Sequence, residues 1–190
     1  MTSQSIIEQR YASDATAVRA ARFVVLAVIG SLLLTASARV QIPFWPVPLT
    51  MQTFVVMVLA LGYGGRLATG TVALYLTQGA LGLPVFAAGG GLVYLTGPTG
   101  GYLIGFLAAA ALMGYLGDRG WHRTVFHAVM AALAGTAVIF AVGVAWLSVL
   151  VGFVPAIMNG LVPFLLGDAL KVVAAGLTVA GVGRVVNRSP

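Results

Sequence analysis

The stretch GGGLVYLTGPTGGYLIGF, residues 89–106, holds seven glycines, a proline and two tyrosines inside a very apolar chain. Glycine this dense usually marks a flexible linker or a loop that cradles phosphate. Neither reading fits here. No lysine follows in the GxxxxGK[ST] spacing of a Walker-type ATP site, and the run leads directly into an apolar segment, LIGFLAAAALMGYLG. The stretch reads instead as a tight loop entering a membrane span, turned by Pro98 and its glycines. Glycine at such a place also lets backbone approach a ligand closely.

Composition supports a membrane chain. Of 190 residues, 60% are hydrophobic and only 7% are charged, against about 25% charged in a soluble domain. That leaves too little polar side chain to coat a water-facing surface. The net charge of +6 does not point to nucleic acid, because the basic residues are scattered and form no run or basic helix face. With no cysteine, the chain has neither disulfides nor thiolate metal sites. There is no HExxH and no GxSxG, and nothing resembles a catalytic set or a cofactor site. Residues 1–20 carry Glu8, Arg10, Asp14 and Arg19 without an apolar core, so they read as a short cytosolic segment rather than a signal peptide.

The expected fold is all-α: six membrane helices at residues 21–37, 49–63, 67–81, 101–116, 125–150 and 161–182. The membrane domain is residues 21–183, followed by a cytosolic tail at 184–190. A helix crosses about 30 Å of hydrocarbon with about 20 residues. The second, third and fourth spans fall short of this, which suggests a cavity on one side of the membrane. With the N-terminus in the cytosol, Arg10, Arg19, Arg22, Arg66, Arg119, Arg123, Arg184 and Arg188 all fall on cytosolic segments, and Arg39 alone lies outside. This positive-inside asymmetry places both termini in the cytosol of a multi-pass protein of the cytoplasmic membrane. The outer loops at 39–48 and 82–100 are then the long ones, rich in glycine and proline.

Few residues within the spans are polar. Asp168 and Lys171 lie three apart on one face of the sixth span. Each costs about 2.5–3.5 kcal/mol near a helix centre. They are either a self-neutralising structural pair or a ligand site, and the rule that intramembrane ions mark function favours the second. Arg39 is either a snorkelling residue at the headgroups or a bidentate partner for a carboxylate at a cavity mouth. Gln41, Gln52, Gln78 and Asn159 divide between helix–helix hydrogen bonding and ligand contact. Phe44, Trp45, Phe86, Tyr94 and Tyr102 either anchor the outer belt or wall an apolar pocket. His122 and His127, at the cytosolic end of the fifth span, read as interfacial helix residues.

VPLTMQT (47–53), GALGLPVFAAGGG (79–91), GPTGGYLIGF (97–106) and GDALK (167–171), in this order and spacing, resemble the BioY family. Its members are the biotin-capture subunits, or S-components, of energy-coupling factor (ECF) transporters. The resemblance spans residues 21–182. It implies a six-helix membrane protein that binds biotin in an outward-facing, loop-capped pocket. It also implies a transmembrane coupling subunit and a pair of cytosolic ATPases as partners, so that the chain itself is no enzyme. Carried over residue by residue, it places substrate contacts at Asp168 and Lys171, and also at Gln78, Tyr94 and the loop glycines Gly90 and Gly91. An AxxxA docking pattern maps onto Ala17 and Ala21. The chemistry suits biotin: Asp168 accepts from ureido N–H groups, Lys171 donates to the ureido carbonyl, and Arg39 meets the carboxylate. A stand-alone carrier of biotin or another small carboxylate, coupled to an ion gradient through Asp168, is the alternative. A lipid-modifying enzyme would need a catalytic set that the sequence does not supply.

Overall fold

The computed structural model describes residues 16–186; the segment 1–15 and the last residues of the tail, with Arg10 and Arg188, lie outside the described part. Eight α-helices follow in chain order: α1 (Thr16–Arg39), α2 (Gln52–Tyr63), α3 (Gly65–Ala80), α4 (Leu92–Thr96), α5 (Gly100–Asp118), α6 (Val125–Val151), α7 (Phe153–Gly160) and α8 (Leu165–Val186). Short 3-10 turns at Trp121–Arg123 and Val162–Phe164 precede α6 and α8.

Four described segments are long and apolar enough to cross a membrane: Ala17–Arg39, Gly100–Asp118, Val125–Val151 and Phe153–Arg184. The outward faces agree with this. Leu32, Val93, Val149, Phe153, Leu166 and Leu170 are all exposed, an apolar surface that lipid tolerates and water does not. Helix α2 has 12 residues and α3 has 16, so at about 1.5 Å per residue they reach only about 18 and 24 Å. The expected shortness of the 101–116 helix is corrected, because α5 extends to 19 residues.

Two further expectations change. The fold is not purely α: β1 (Gln41–Ile42) and β2 (Leu49–Thr50) pair antiparallel, Gln41 opposite Thr50 and Ile42 opposite Leu49. This hairpin carries the proline-rich segment and the cis Trp45–Pro46 bond. The segment read as the start of a continuous 161–182 helix is broken. Pro163, at the start of the Val162–Phe164 turn, has no N–H to give a preceding helix. Helix α8 begins only at Leu165, so Asp168 stands in its first turn rather than near a helix centre. A carboxylate is favoured there, beside free backbone N–H groups and the positive end of the helix dipole.

Helix α5 runs through the middle, against α2, α3 and α6. Small residues make these approaches possible. A Cβ on Gly114 would meet the Gly65 backbone, and one on Gly105 would lie 3.0 Å from the Ile139 Cα. Without a hydrophobic drive between helices in lipid, such close backbone packing is a main source of association. The shared core joins Met57, Ala60 and Leu61 of α2 to Ala109, Ala110 and Met113 of α5 and Ala131, Ala132 and Ile139 of α6. At one end lie the hairpin and the 82–91 loop. The opposite end carries the arginine-rich turns, where Asp118 accepts from the Gly65 backbone N–H at 3.0 Å.

Candidate functional site

At the hairpin end, α2 and α8 bring together the two halves of a polar cluster. Lys171 Nζ lies 2.7 Å from Asp168 Oδ1, 2.7 Å from the Thr50 carbonyl and 3.1 Å from Thr53 Oγ1. An ammonium has three protons to donate, and all three are placed. The Thr53 hydroxyl in turn donates to Asp168 Oδ1 at 3.0 Å. Asp168 is 2% exposed, and its other oxygen, Oδ2, is buried without a hydrogen-bond partner. A bare buried carboxylate oxygen is costly. Oδ2 is therefore the open acceptor of the cluster, and the lysine side is already filled.

Thr50 and Thr53 form the wall between this pair and an apolar cavity of about 510 Å³ at the same end. That size suits a small organic ligand. Its aromatic lining falls into two groups. Phe86 stacks on Tyr94 with ring centroids 5.1 Å apart and meets Tyr75 edge-on at 5.4 Å. Across the cavity, Tyr102 faces Phe164 at 6.5 Å and Phe140 at 6.4 Å. The polar ends are tied back: Tyr102 donates to the Gly160 carbonyl at 2.9 Å, which fastens α5 to α7. A wider groove of about 1120 Å³ opens beyond, between the hairpin and the glycine-rich segment. It shares Pro48, Tyr94 and Thr99 with the inner cavity. The arrangement offers apolar walls, one unmatched acceptor and no nucleophile–base pair.

Comparison with known proteins gives the family. The BioY family model matches residues 8–188. The chain belongs to the BioY family. A Thermotoga maritima relative, "Biotin transporter BioY", is 39% identical over 82% of this chain and 92% of its own. A Pyrococcus horikoshii relative, "Probable biotin transporter BioY", is 38% identical over 75% of this chain and 85% of its own. The crystal structure of the S-component for biotin from an ECF-type ABC transporter shares this fold, with a TM-score of 0.78 over 93% of this chain and 96% of that one, at 23% identity.

Within this BioY-family chain the sequence-predicted residues fall into distinct places. Gln52, Phe86, Tyr94 and Tyr102 line the inner cavity, and Gly90 lines the outer groove. Asp168 and Lys171 stand behind Thr50 and Thr53. Gly91, at φ +96°, caps α4 and donates its N–H to the Gly79 carbonyl at 2.6 Å. Arg39 turns to the 82–91 loop, donating to the carbonyls of Pro84 and Ala87, and Gln41 shares the Ala87 carbonyl at 3.3 Å. Gln78 accepts from the Ser31 hydroxyl, linking α3 to α1, which is the helix–helix option. Asn159 donates to the Pro155 carbonyl one turn back in its own helix at 3.0 Å. Neither Gln78 nor Asn159 lines the cavity. Ala17 and Ala21 lie exposed on α1.

One reading of the histidines is corrected. His127 is exposed beside the N-cap Thr124, but His122 is 1% exposed and sits in the 3-10 turn, its Nδ1 2.8 Å from the Gly117 carbonyl. Its Nε2 has no partner. Burial lowers its pKa, so the imidazole is neutral.

Sequence reasoning passed over Thr50, Thr53, Tyr75 and Gly79. The first two lie inside VPLTMQT, a motif noticed for its resemblance and not for its hydroxyls. Gly79 opens GALGLPVF. A Cβ there would overlap the Phe86 ring, so this glycine is the seat of the buried Phe86.

Proposed function

We propose that this chain captures biotin at the outer face of the cytoplasmic membrane, as the substrate-specific subunit of an ECF-type transporter. The observation that carries this reading is the buried, unpartnered Asp168 Oδ2 beside an aromatic cavity. A ureido N–H supplies the missing donor. The aromatic groups take the fused rings, and the valerate chain runs toward the outer groove. Selectivity follows from the penalty on a ligand that leaves the carboxylate oxygen bare. Lys171 holds the carboxylate in place and reaches the ureido carbonyl only by giving up one of its three bonds.

Family membership and the fold shared with the biotin S-component support this assignment. We read α1, α2, α3, α5, α6 and α8 as six spans, with both termini cytosolic and the hairpin end outside. The arginines at Arg66, Arg119 and Arg123 support that orientation. Energy comes from a coupling subunit and a pair of ATPases, with Ala17 and Ala21 on the docking face. No step calls for a cofactor of this chain.

The test is titration calorimetry of the purified chain in detergent with biotin, desthiobiotin and lipoate. Saturable binding of biotin, competed by desthiobiotin, which keeps the ureido group, and not by lipoate, which lacks it, is the expected result. Equal competition by lipoate removes Asp168 from recognition, and no biotin binding removes the assignment.

A further inference from the structure

The polar cluster is connected to the 82–91 loop by a continuous hydrogen-bond chain. Asp168 holds Lys171, and Lys171 donates to the Thr50 carbonyl at 2.7 Å. The Thr50 hydroxyl donates to Gln52 Oε1 at 3.3 Å. Gln52 Nε2 donates to the Tyr75 hydroxyl at 2.8 Å, and Tyr75 donates to the Val85 carbonyl at 3.1 Å. Every member has its donor and acceptor roles fixed by its neighbours. The Gln52 amide faces Thr50 with its oxygen, so its NH₂ group must face Tyr75, and the phenol proton is left for Val85. Gln52 is 4% exposed and Tyr75 is fully buried, so water does not readily replace a lost link. The Tyr75 ring also meets Phe86, the loop's buried anchor.

We propose that Tyr75 is a positioning residue, which fixes the 82–91 loop over the cavity in a register set by the Asp168–Lys171 pair. The hydroxyl, and not the ring alone, carries this role. Any ligand that draws Lys171 from the Thr50 carbonyl changes the Thr50–Gln52 link, and through Tyr75 the hold on Val85. Occupancy of the polar site and closure of the loop are thereby linked. The biotin arm of the test rests on the function proposed above; the chain of bonds itself does not.

Amide hydrogen exchange of the full chain in detergent reads the loop directly, because Phe86, Gly89 and Gly91 all donate backbone bonds there. Thr50→Val and Lys171→Met alter no loop residue. Each is expected to speed exchange across residues 85–91 by about 5-fold, and to add nothing in a Tyr75→Phe background, as coupled sites require. Tyr75→Phe keeps the ring, so a purely packing role predicts wild-type exchange. If Lys171→Met fails to insert, Thr50→Val carries the comparison. Wild-type exchange in Thr50→Val, or effects that multiply with those of Tyr75→Phe, overturn the proposal. With biotin, Tyr75→Phe is expected to raise the dissociation rate about 10-fold and leave association within about 2-fold, the usual place for such effects. Unchanged dissociation with biotin bound also overturns it. If biotin does not bind the wild type, the substrate assignment falls, and the ligand-free exchange still decides the role of Tyr75.

Discussion

The Thr53 hydroxyl donates to Asp168 Oδ1 at 3.0 Å across 115 residues of sequence, and this one bond decides which carboxylate oxygen is free. Oδ1 serves both Thr53 and Lys171, so Oδ2 has no protein partner. Asp168→Asn removes that division. An amide has a single oxygen, which can satisfy Lys171 or a ligand N–H but not both. Hydrogen bonds to a charged group contribute about 1.5–3 kcal/mol, so biotin affinity should fall by roughly 10- to 150-fold. Calorimetry beside a melting curve in detergent checks this, and unchanged affinity in a normally inserted protein refutes the assignment of Asp168.

Thr53→Val tests the same geometry more gently. Valine keeps the shape and loses the hydroxyl, while the direct Lys171–Asp168 contact at 2.7 Å remains. The loss of a neutral buried bond is worth about 1 kcal/mol, so affinity should weaken about 5-fold with little change in melting temperature. A change as large as that for Asp168→Asn would mean that the ion pair depends on Thr53 for its placement.

Gly79→Ala should be far more disruptive than its single methyl suggests. The added Cβ overlaps the ring of Phe86, which is fully buried against Tyr75 and Tyr94. A packed ring cannot shift without losing those contacts. Loss of tight biotin retention and faster exchange across 85–91 are expected. Phe86→Leu in the same chain makes room, so partial recovery of loop protection in the double variant identifies the steric cause. No recovery would place the defect in the α3 backbone instead.

Much of this was legible in the sequence, and the exceptions have physical causes. Long apolar runs locate helices well: the ends at Tyr63 and Val125 were read directly. The Asp168–Lys171 pair was visible because intramembrane charge is expensive enough to stand out. The break before Leu165 was hidden by uniformly apolar flanks, although Pro163 marked it. Hydroxyls at Thr50 and Thr53 carry no periodic signal, and their role exists only once α2 meets α8. Gln78 and Asn159 show the converse: a polar residue in a span attracts a ligand reading, yet Ser31 and the Pro155 carbonyl satisfy them locally. Arg39 could be located on the hairpin side from sequence, but its loop-carbonyl partners are a feature of the folded chain.

At the opposite end of the bundle, His122 should make the chain acid-sensitive. Burial chiefly lowers its pKa, helped by the nearby Arg123 charge and opposed by the Gly117 carbonyl and Asp118. The Gly117 carbonyl accepts from Nδ1–H, which leaves Nε2 as a buried bare acceptor. Protonation would create a buried N–H with no partner. The folded value lies below the ordinary 6.5, so the unfolded chain takes up the proton first. Stability is then full above about pH 6.5 and declines as pH falls from there toward the folded value. His122→Asn keeps an amide N–H near the Nδ1 position and does not titrate. Melting curves in detergent between pH 5 and 8 should flatten in this variant relative to the wild type. Parallel curves would show that the acid sensitivity arises elsewhere.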